Sequence, residues 1–236
     1  MSLRVHTLRV WNACAYLIES ESGLLLVDTG WPHNEPAVLR RMRLLRREDL
    51  RLIFITHSHL DHYGSAAALR RLTGAPIAIH HADAEAMARG ETPIRSARGF
   101  GRLGRWLLPL GKRLLRPEPT SSDVVLDDGD DLCSYGLDAV VVHTPGHTSG
   151  SCCLLVEGHL AFVGDLLMTD GKPVLQRLYA DDWSLLSSSL ARVQALRPEW
   201  VYAGHGLHPL RGEALQALGS KGKLPTCPTG EDGRKT

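Results

Sequence analysis

The chain has 236 residues, 43% of them hydrophobic, and a formal net charge of +1. That is enough apolar material for a buried core in one large α/β domain, and the near-neutral balance gives no charge signal for nucleic acid. Five cysteines (Cys14, Cys133, Cys152, Cys153, Cys227) are odd in number and unevenly spaced, which excludes a disulfide framework and points to a reducing compartment. No apolar stretch approaches the roughly 20 residues that span a bilayer. Met1 to Val10 holds Arg4, His6 and Arg9 but no apolar leader segment, so the expectation is a soluble, cytoplasmic protein.

In chain order, Val5 to Val10 reads as a strand. Cys14 to Ile18 and Leu24 to Val27 are further strands, separated at Ser22-Gly23 by a hairpin-like break. Pro36 to Arg46 has helical spacing, with Val38, Leu39, Met42 and Leu45 on one side and Pro36 suited to the helix start. Leu52 to Thr56 is a continuous apolar run, as in a buried strand. Gly64 to Leu72 reads as a helix ended by Gly74, and Pro76 to His80 as the next strand, a β-loop-α-β unit. Residues 83 to about 122 read as an insertion with helical character. Its segment Ile94 to Arg116 carries seven basic and no acidic residues beside Phe100, Trp106 and several leucines. Strands resume in a second part at Val124 to Leu126, Ala139 to His143, Cys152 to Val156 and Leu160 to Val163. Trp183 to Leu196 is helical, Trp200 to Ala203 a short strand, and Gly212 to Leu218 a final helix. The expected organisation is one domain over 1–218, then a disordered tail over 219–236 rich in Gly, Lys, Pro and Thr.

The chemistry concentrates in Thr56-His57-Ser58-His59-Leu60-Asp61-His62, which follows the apolar run and packs four metal-ligand types into six residues. Three more candidates stand in Gly-flanked loops: His147, Asp165 and His205. Seven imidazole and carboxylate ligands suit two divalent ions. His57 and His59, two apart in an extended loop, can point the same way. The adjacent Asp61 and His62 diverge and can serve a neighbouring ion about 3.5 Å away. His147 completes the one group, His205 the other, and Asp165 can bridge. Zinc accepts such a set and is the favoured ion, with iron or manganese also suited. His6, His33, His80, His81, His143, His159 and His208 read as structural or exposed.

These motifs resemble the metallo-β-lactamase superfamily. His57-x-His59-x-Asp61-His62 is similar to its signature, Thr144-Pro145-Gly146-His147-Thr148 to the next motif, and Gly164-Asp165 and Gly204-His205-Gly206 to the last two. Val27-Asp28-Thr29-Gly30 resembles an early strand-end motif. The resemblance implies a four-layer αβ/βα sandwich with two metal ions at one edge between the sheets. It implies that His57, His59 and His147 hold one ion, that Asp61, His62 and His205 hold the other, and that Asp165 bridges. Asp28 would accept the N–H of a ligand imidazole; the competing reading makes it only a turn former.

The implied activity is hydrolysis of an ester, lactone or thioester of a small molecule by a hydroxide held between the two ions. Asp61 would orient this nucleophile and shuttle its proton. Relatives that hydrolyse β-lactams generally lack a bridging aspartate at the position of Asp165, so β-lactam turnover is at most secondary. Redox di-iron relatives replace the second histidine by glutamate, whereas this chain has His59. About 30 residues follow His205, too few for the helical domain of a glyoxalase II-type thioesterase, which places the chain nearer the lactonases. Tyr179 either donates to a substrate carbonyl or packs under the Trp183 helix. The basic insertion is a solvated face, a lid or homodimer surface, or an anion contact. The rival classes are a catalytically weak metal-containing signalling or binding protein and an iron-dependent oxidoreductase of the sulfur dioxygenase type.

Overall fold

The apolar run at Leu52 to Ile55 is buried on both faces, and its alternation explains the layering. Ile53 and Ile55 belong to one core cluster, together with residues of helices. Leu52 and Phe54 belong to a second cluster, together with residues of another sheet. In a strand, successive side chains point to opposite faces, so a run buried on both must have something packed on each. The computed structural model describes residues 3–93 and 116–219.

The first sheet has the order β1 (Arg4–Val10), β2 (Ala13–Glu19), β3 (Leu24–Val27), β4 (Leu50–Ile55), β5 (Ile77–His80) and β6 (Val124–Leu126). β1, β2 and β3 are antiparallel, and β3 to β6 run parallel. Helices α1 (Glu35–Leu45), α2 (Leu60–Tyr63), α3 (Ala66–Thr73) and α4 (His81–Ala88) lie between its strands in sequence. Val38 and Met42 of α1, Leu69 of α3 and Met87 of α4 fill the core on its outer face.

The second sheet runs β12 (Leu210–Arg211), β11 (Trp200–His205), β9 (Leu160–Met168), β8 (Cys152–Val156), β7 (Ala139–His143), with β10 (Val174–Leu175) paired to the far end of β9. Phe162 of β9 points into the core between the sheets, while Ala161 and Val163 point to the opposite face. There they meet Leu186, Leu190 and Val193 of α5 (Trp183–Ala195) and Leu215 of α6 (Gly212–Gln216). Three stacked cores therefore separate four layers, helix, sheet, sheet, helix, and the expected αβ/βα sandwich is the observed fold.

Several elements differ from expectation. Val124–Leu126 does not open the second sheet; it closes the first, in parallel with β5. The helix expected over Gly64 to Leu72 is α3, which starts at Ala66, and a further short helix, α2, precedes it across the ligand motif. Residues 83–88, at the start of the expected insertion, belong to α4, whose Asp83 and Met87 are buried. β10 and β12, two residues each, carry too little pattern to be read from sequence. Residues 94–115 of the expected insertion and 220–236 of the expected tail lie outside the described residues. Among the described residues no helix is long and apolar enough to cross a membrane.

Candidate metal centre

The seven candidate ligands come from five places in the chain, and the fold brings all of them together. β4 ends at Ile55, the chain bends over residues 56–58, and His59, with φ −90° and ψ 145°, opens α2. That delivers His57 and His59 from the loop and Asp61 and His62 from the short helix. His147 sits between β7 and β8, Asp165 within β9, and His205 at the end of β11.

Asp165 is the centre of the arrangement. Its Oδ2 lies 3.2 Å from His147 Nε2, 3.3 Å from His205 Nε2 and 4.0 Å from His57 Nε2. Its Oδ1 lies 3.3 Å from His62 Nε2. Asp61 Oδ2 is 3.5 Å from His205 Nε2 and 3.9 Å from His62 Nε2. One ligand atom from each of His57, His59, His147 and Asp165 lies within 4.8 Å of the others, and the same holds for Asp61, His62 and His205. These are the two groups the sequence had suggested. Gly204 makes room for them: a Cβ there would stand 2.4 Å from Asp165 Oδ1 and 2.6 Å from His62 Cε1.

Hydrogen bonds on the far side of four of the five rings show which nitrogen faces the centre. His62 Nδ1–H donates to Asp28 Oδ2 at 2.7 Å. His205 Nδ1–H donates to the Asn12 carbonyl at 2.8 Å, and His59 Nε2–H to the Pro93 carbonyl at 3.0 Å. The Thr56 hydroxyl donates to Asp28 at 2.9 Å, which leaves its oxygen to accept from His57 Nδ1–H at 3.0 Å. Carbonyl and carboxylate oxygens can only accept, so in the neutral form of each ring the lone pair sits on the opposite nitrogen. His59 Nδ1 then lies 3.0 Å from His147 Nε2.

At the centre, the buried atoms His57 Nε2, His62 Nε2 and Asp165 Oδ1 have no hydrogen-bond partner. An orphaned buried polar atom costs about 1–3 kcal/mol, so such a concentration is hard to account for unless something fills the centre. Converging lone pairs and carboxylate oxygens fit divalent cations.

Without an ion, the electrostatics keep His57 and His59 of the first group neutral and favour the protonated form of His62 and His205 in the second, protons that a bound cation would displace. Burial, reinforced by His62 and His59, holds His57 well below the usual imidazole range. Burial and then His147 push His59 down to about 4. Both are therefore neutral near pH 7, the form that ligates. Burial disfavours charge on Asp165, but His205, His62 and His147 outweigh it and hold its carboxyl well below the carboxylate range. Asp165 in turn pushes His205 up to about 9.

Asp28 holds more than one partner. It is 2% exposed, follows β3 with φ 58°, and accepts from the Thr56 N–H at 2.8 Å as well as from His62. It thus occupies the turn and orients the imidazole at once. Tyr179 is partly buried with φ 62°. Its loop is tied to the His147 loop, where Asp181 N–H donates to the His147 carbonyl at 3.1 Å and Asp182 N–H to the Gly146 carbonyl at 2.8 Å.

The carbonyls of Asn12 and Pro93 and the side chain of Asp83 were not foreseen. Backbone carbonyls leave no trace in side-chain identity, and Asp83 reads as an ordinary acid in a helical first turn. His80, His81 and Asp127 form a third group with ligand atoms within 4.8 Å of one another, although His81 and Asp127 are exposed. His80 is otherwise structural: its Nδ1 accepts the Ala82 N–H, and its ring stacks on His143 at 4.1 Å.

A sequence profile described as the Metallo-beta-lactamase superfamily matches residues 8–205. The chain belongs to the metallo-beta-lactamase superfamily. Within it, the chain is 33% identical over 193 residues to a hydroxyacylglutathione hydrolase of Aeromonas hydrophila, a match covering 80% of this chain and 59% of that protein. It is 26% identical to a probable polyketide biosynthesis zinc-dependent hydrolase, BaeB, of Bacillus velezensis, across 89% of this chain and 80% of the relative. Among solved structures, TTHA1623 in a di-iron-bound form superposes with a TM-score of 0.68 at 27% identity, covering 89% of this chain and 96% of that one. The superfamily is generally hydrolytic, and relatives named as hydrolases recur among the matches.

Proposed function

We propose that this protein is a dinuclear metal-dependent hydrolase acting on the ester, lactone or thioester bond of a small molecule. The observation that carries the reading is the convergence of imidazole nitrogens from His57, His62, His147 and His205 on the Asp165 carboxylate. His57, His59 and His147 would hold one ion, Asp61, His62 and His205 the other, with Asp165 shared. Divalent ions, when bound, supply Lewis acidity and lower the pKa of a bound water from 15.7 towards about 7.

The protein's own groups do the rest. Asp61 is the less buried of the two carboxylates, its side chain 18% exposed against 5% for Asp165, so it is the one within reach of solvent and substrate. It would orient the attacking water and pass its proton to the leaving group. Asp28 keeps the His62 lone pair pointing inward. Tyr179, on a loop fastened to the His147 loop, would donate to the substrate carbonyl. The named activities of the Aeromonas and Bacillus relatives support hydrolysis, and the former supports a thioester. The chain spans 59% of the Aeromonas protein. Zinc is the favoured ion, and the di-iron relative makes iron the alternative to test. The buried free thiols Cys14, Cys152 and Cys153 favour a reducing, cytoplasmic setting.

The test is protein reconstituted in turn with zinc, iron and manganese and assayed on p-nitrophenyl acetate, a long-chain lactone, an acyl thioester and S-lactoylglutathione. Metal-dependent turnover of one of the first three is expected. Two bound ions with no turnover across the panel would overturn hydrolysis and favour a binding protein.

A further inference from the structure

Asp83 is a carboxylate at 1% exposure in the first turn of α4, and the catalytic reading above gives it no role. Its Oδ2 accepts from the Ser58 N–H and from the Thr148 hydroxyl, both at 2.8 Å. Its Oδ1 accepts from the Gly150 N–H at 2.9 Å. Ser58 lies between His57 and His59, and Thr148 directly follows His147. One buried side chain therefore ties together the two loops that deliver all three imidazoles of the first group. The second group has separate anchors, Asp28 for His62 and the Asn12 carbonyl for His205.

The site around Asp83 is built. The His80 side chain caps α4 by accepting the Ala82 N–H, and the His80 ring stacks on His143, the residue that ends β7 before the His147 loop. Gly150 has to lack a side chain, since a Cβ there would stand 2.6 Å from Asp83 Cγ and 2.7 Å from its Cβ. All three partners of Asp83 are donors. An ionised carboxylate satisfies them together, whereas an amide offers one oxygen and turns an N–H towards a donor.

We propose that Asp83 is a positioning residue that sets the affinity of the His57–His59–His147 group for its metal ion and leaves the Asp61–His62–His205 group unaffected. The proposal rests on the two-ion reading above. A carboxylate gripping both loops keeps the three nitrogens at ligating separation before the ion arrives, so the ion does not have to order them. Loss of such a supporting hydrogen bond typically weakens metal affinity about 10- to 100-fold.

The experiment is titration of metal-free protein with zinc against a competing chelator, repeated with cobalt, whose visible absorption reports coordination. Wild type should take up two ions in two resolvable steps. In Asp83→Asn one step should weaken about 10- to 100-fold while the other is unchanged. Gly150→Ala, which displaces the carboxylate, should weaken the same step. Thr148→Val removes one bond of three and should do so more mildly, which keeps the proposal testable if Asp83→Asn does not fold. Equal weakening of both steps, or no change in Asp83→Asn or Thr148→Val, overturns the role of Asp83 while leaving the metal centre standing. A wild type that takes up no ion, or only one, overturns the two-ion reading, and the role of Asp83 falls with it.

Discussion

Asp28 Oδ2 lies 2.7 Å from His62 Nδ1, and the two side chains are 2% and 0% exposed. A buried carboxylate this close fixes a proton on Nδ1 and turns Nε2 towards the centre. Asp28→Asn keeps the shape but offers one acceptor where Thr56 and His62 together present three donors. The expected result is a 10- to 100-fold loss of metal affinity or of kcat/KM. Metal analysis and steady-state rates on the best ester substrate measure it; unchanged values would mean Asp28 serves only the turn.

Removing ligands should be more severe. His59→Ala and Asp61→Ala each delete a group from the centre and are expected to abolish turnover and lower bound metal below two per chain. Elemental analysis of the purified variants decides it. Full occupancy with a normal rate would remove either residue from the centre.

Gly204 supplies a steric test of the same geometry. A Cβ at this position would lie 2.4 Å from Asp165 Oδ1, so Gly204→Ala should displace the shared carboxylate. Metal uptake should drop while far-ultraviolet circular dichroism stays native. A variant binding two ions as tightly as wild type would show that Asp165 has freedom to move.

Stripping the metal should cost stability, because the orphaned buried atoms at the centre then lose their partners. An ion present at a hundred times its dissociation constant stabilises the fold by about 2.7 kcal/mol. Melting with and without chelator should show a lower Tm for the stripped protein. A Tm indifferent to chelator would mean that no ion binds the folded chain.

The histidines away from the centre predict an acid sensitivity. Burial, then His143 and His81, push His80 down to about 4, against the opposing pull of Asp127 and Asp83. Its folded value lies below the ordinary 6.5, so the unfolded chain takes up the proton first. The stability His80 contributes is present above about pH 6.5 and is lost as pH falls towards 4. His80→Phe keeps a ring against His143 without the titration, so its Tm should fall less between pH 7 and pH 5 than that of wild type. Parallel losses in the two proteins would assign the acid sensitivity elsewhere.

Much of the site was legible in the chain itself. Four candidate ligands within six residues after an apolar run, and three more in Gly-flanked loops, marked the seven side chains that the fold brings together. The unbroken apolar run at Leu52 to Thr56 likewise announced a buried strand. Such signals are local, because a strand has period two and a ligand loop is short. What the tertiary structure alone decided are relations between distant segments. Val124–Leu126 is a three-residue strand with no periodicity to assign it, and its place in the first sheet depends on pairing with β5. The break between α2 and α3 comes at Gly64, where a Cβ would collide with Pro32 and with the Leu60 carbonyl. Asp83 meets donors 25, 65 and 67 residues away. Residue types can say that such a carboxylate needs partners once buried, but which donors it finds depends on where the folded chain crosses itself.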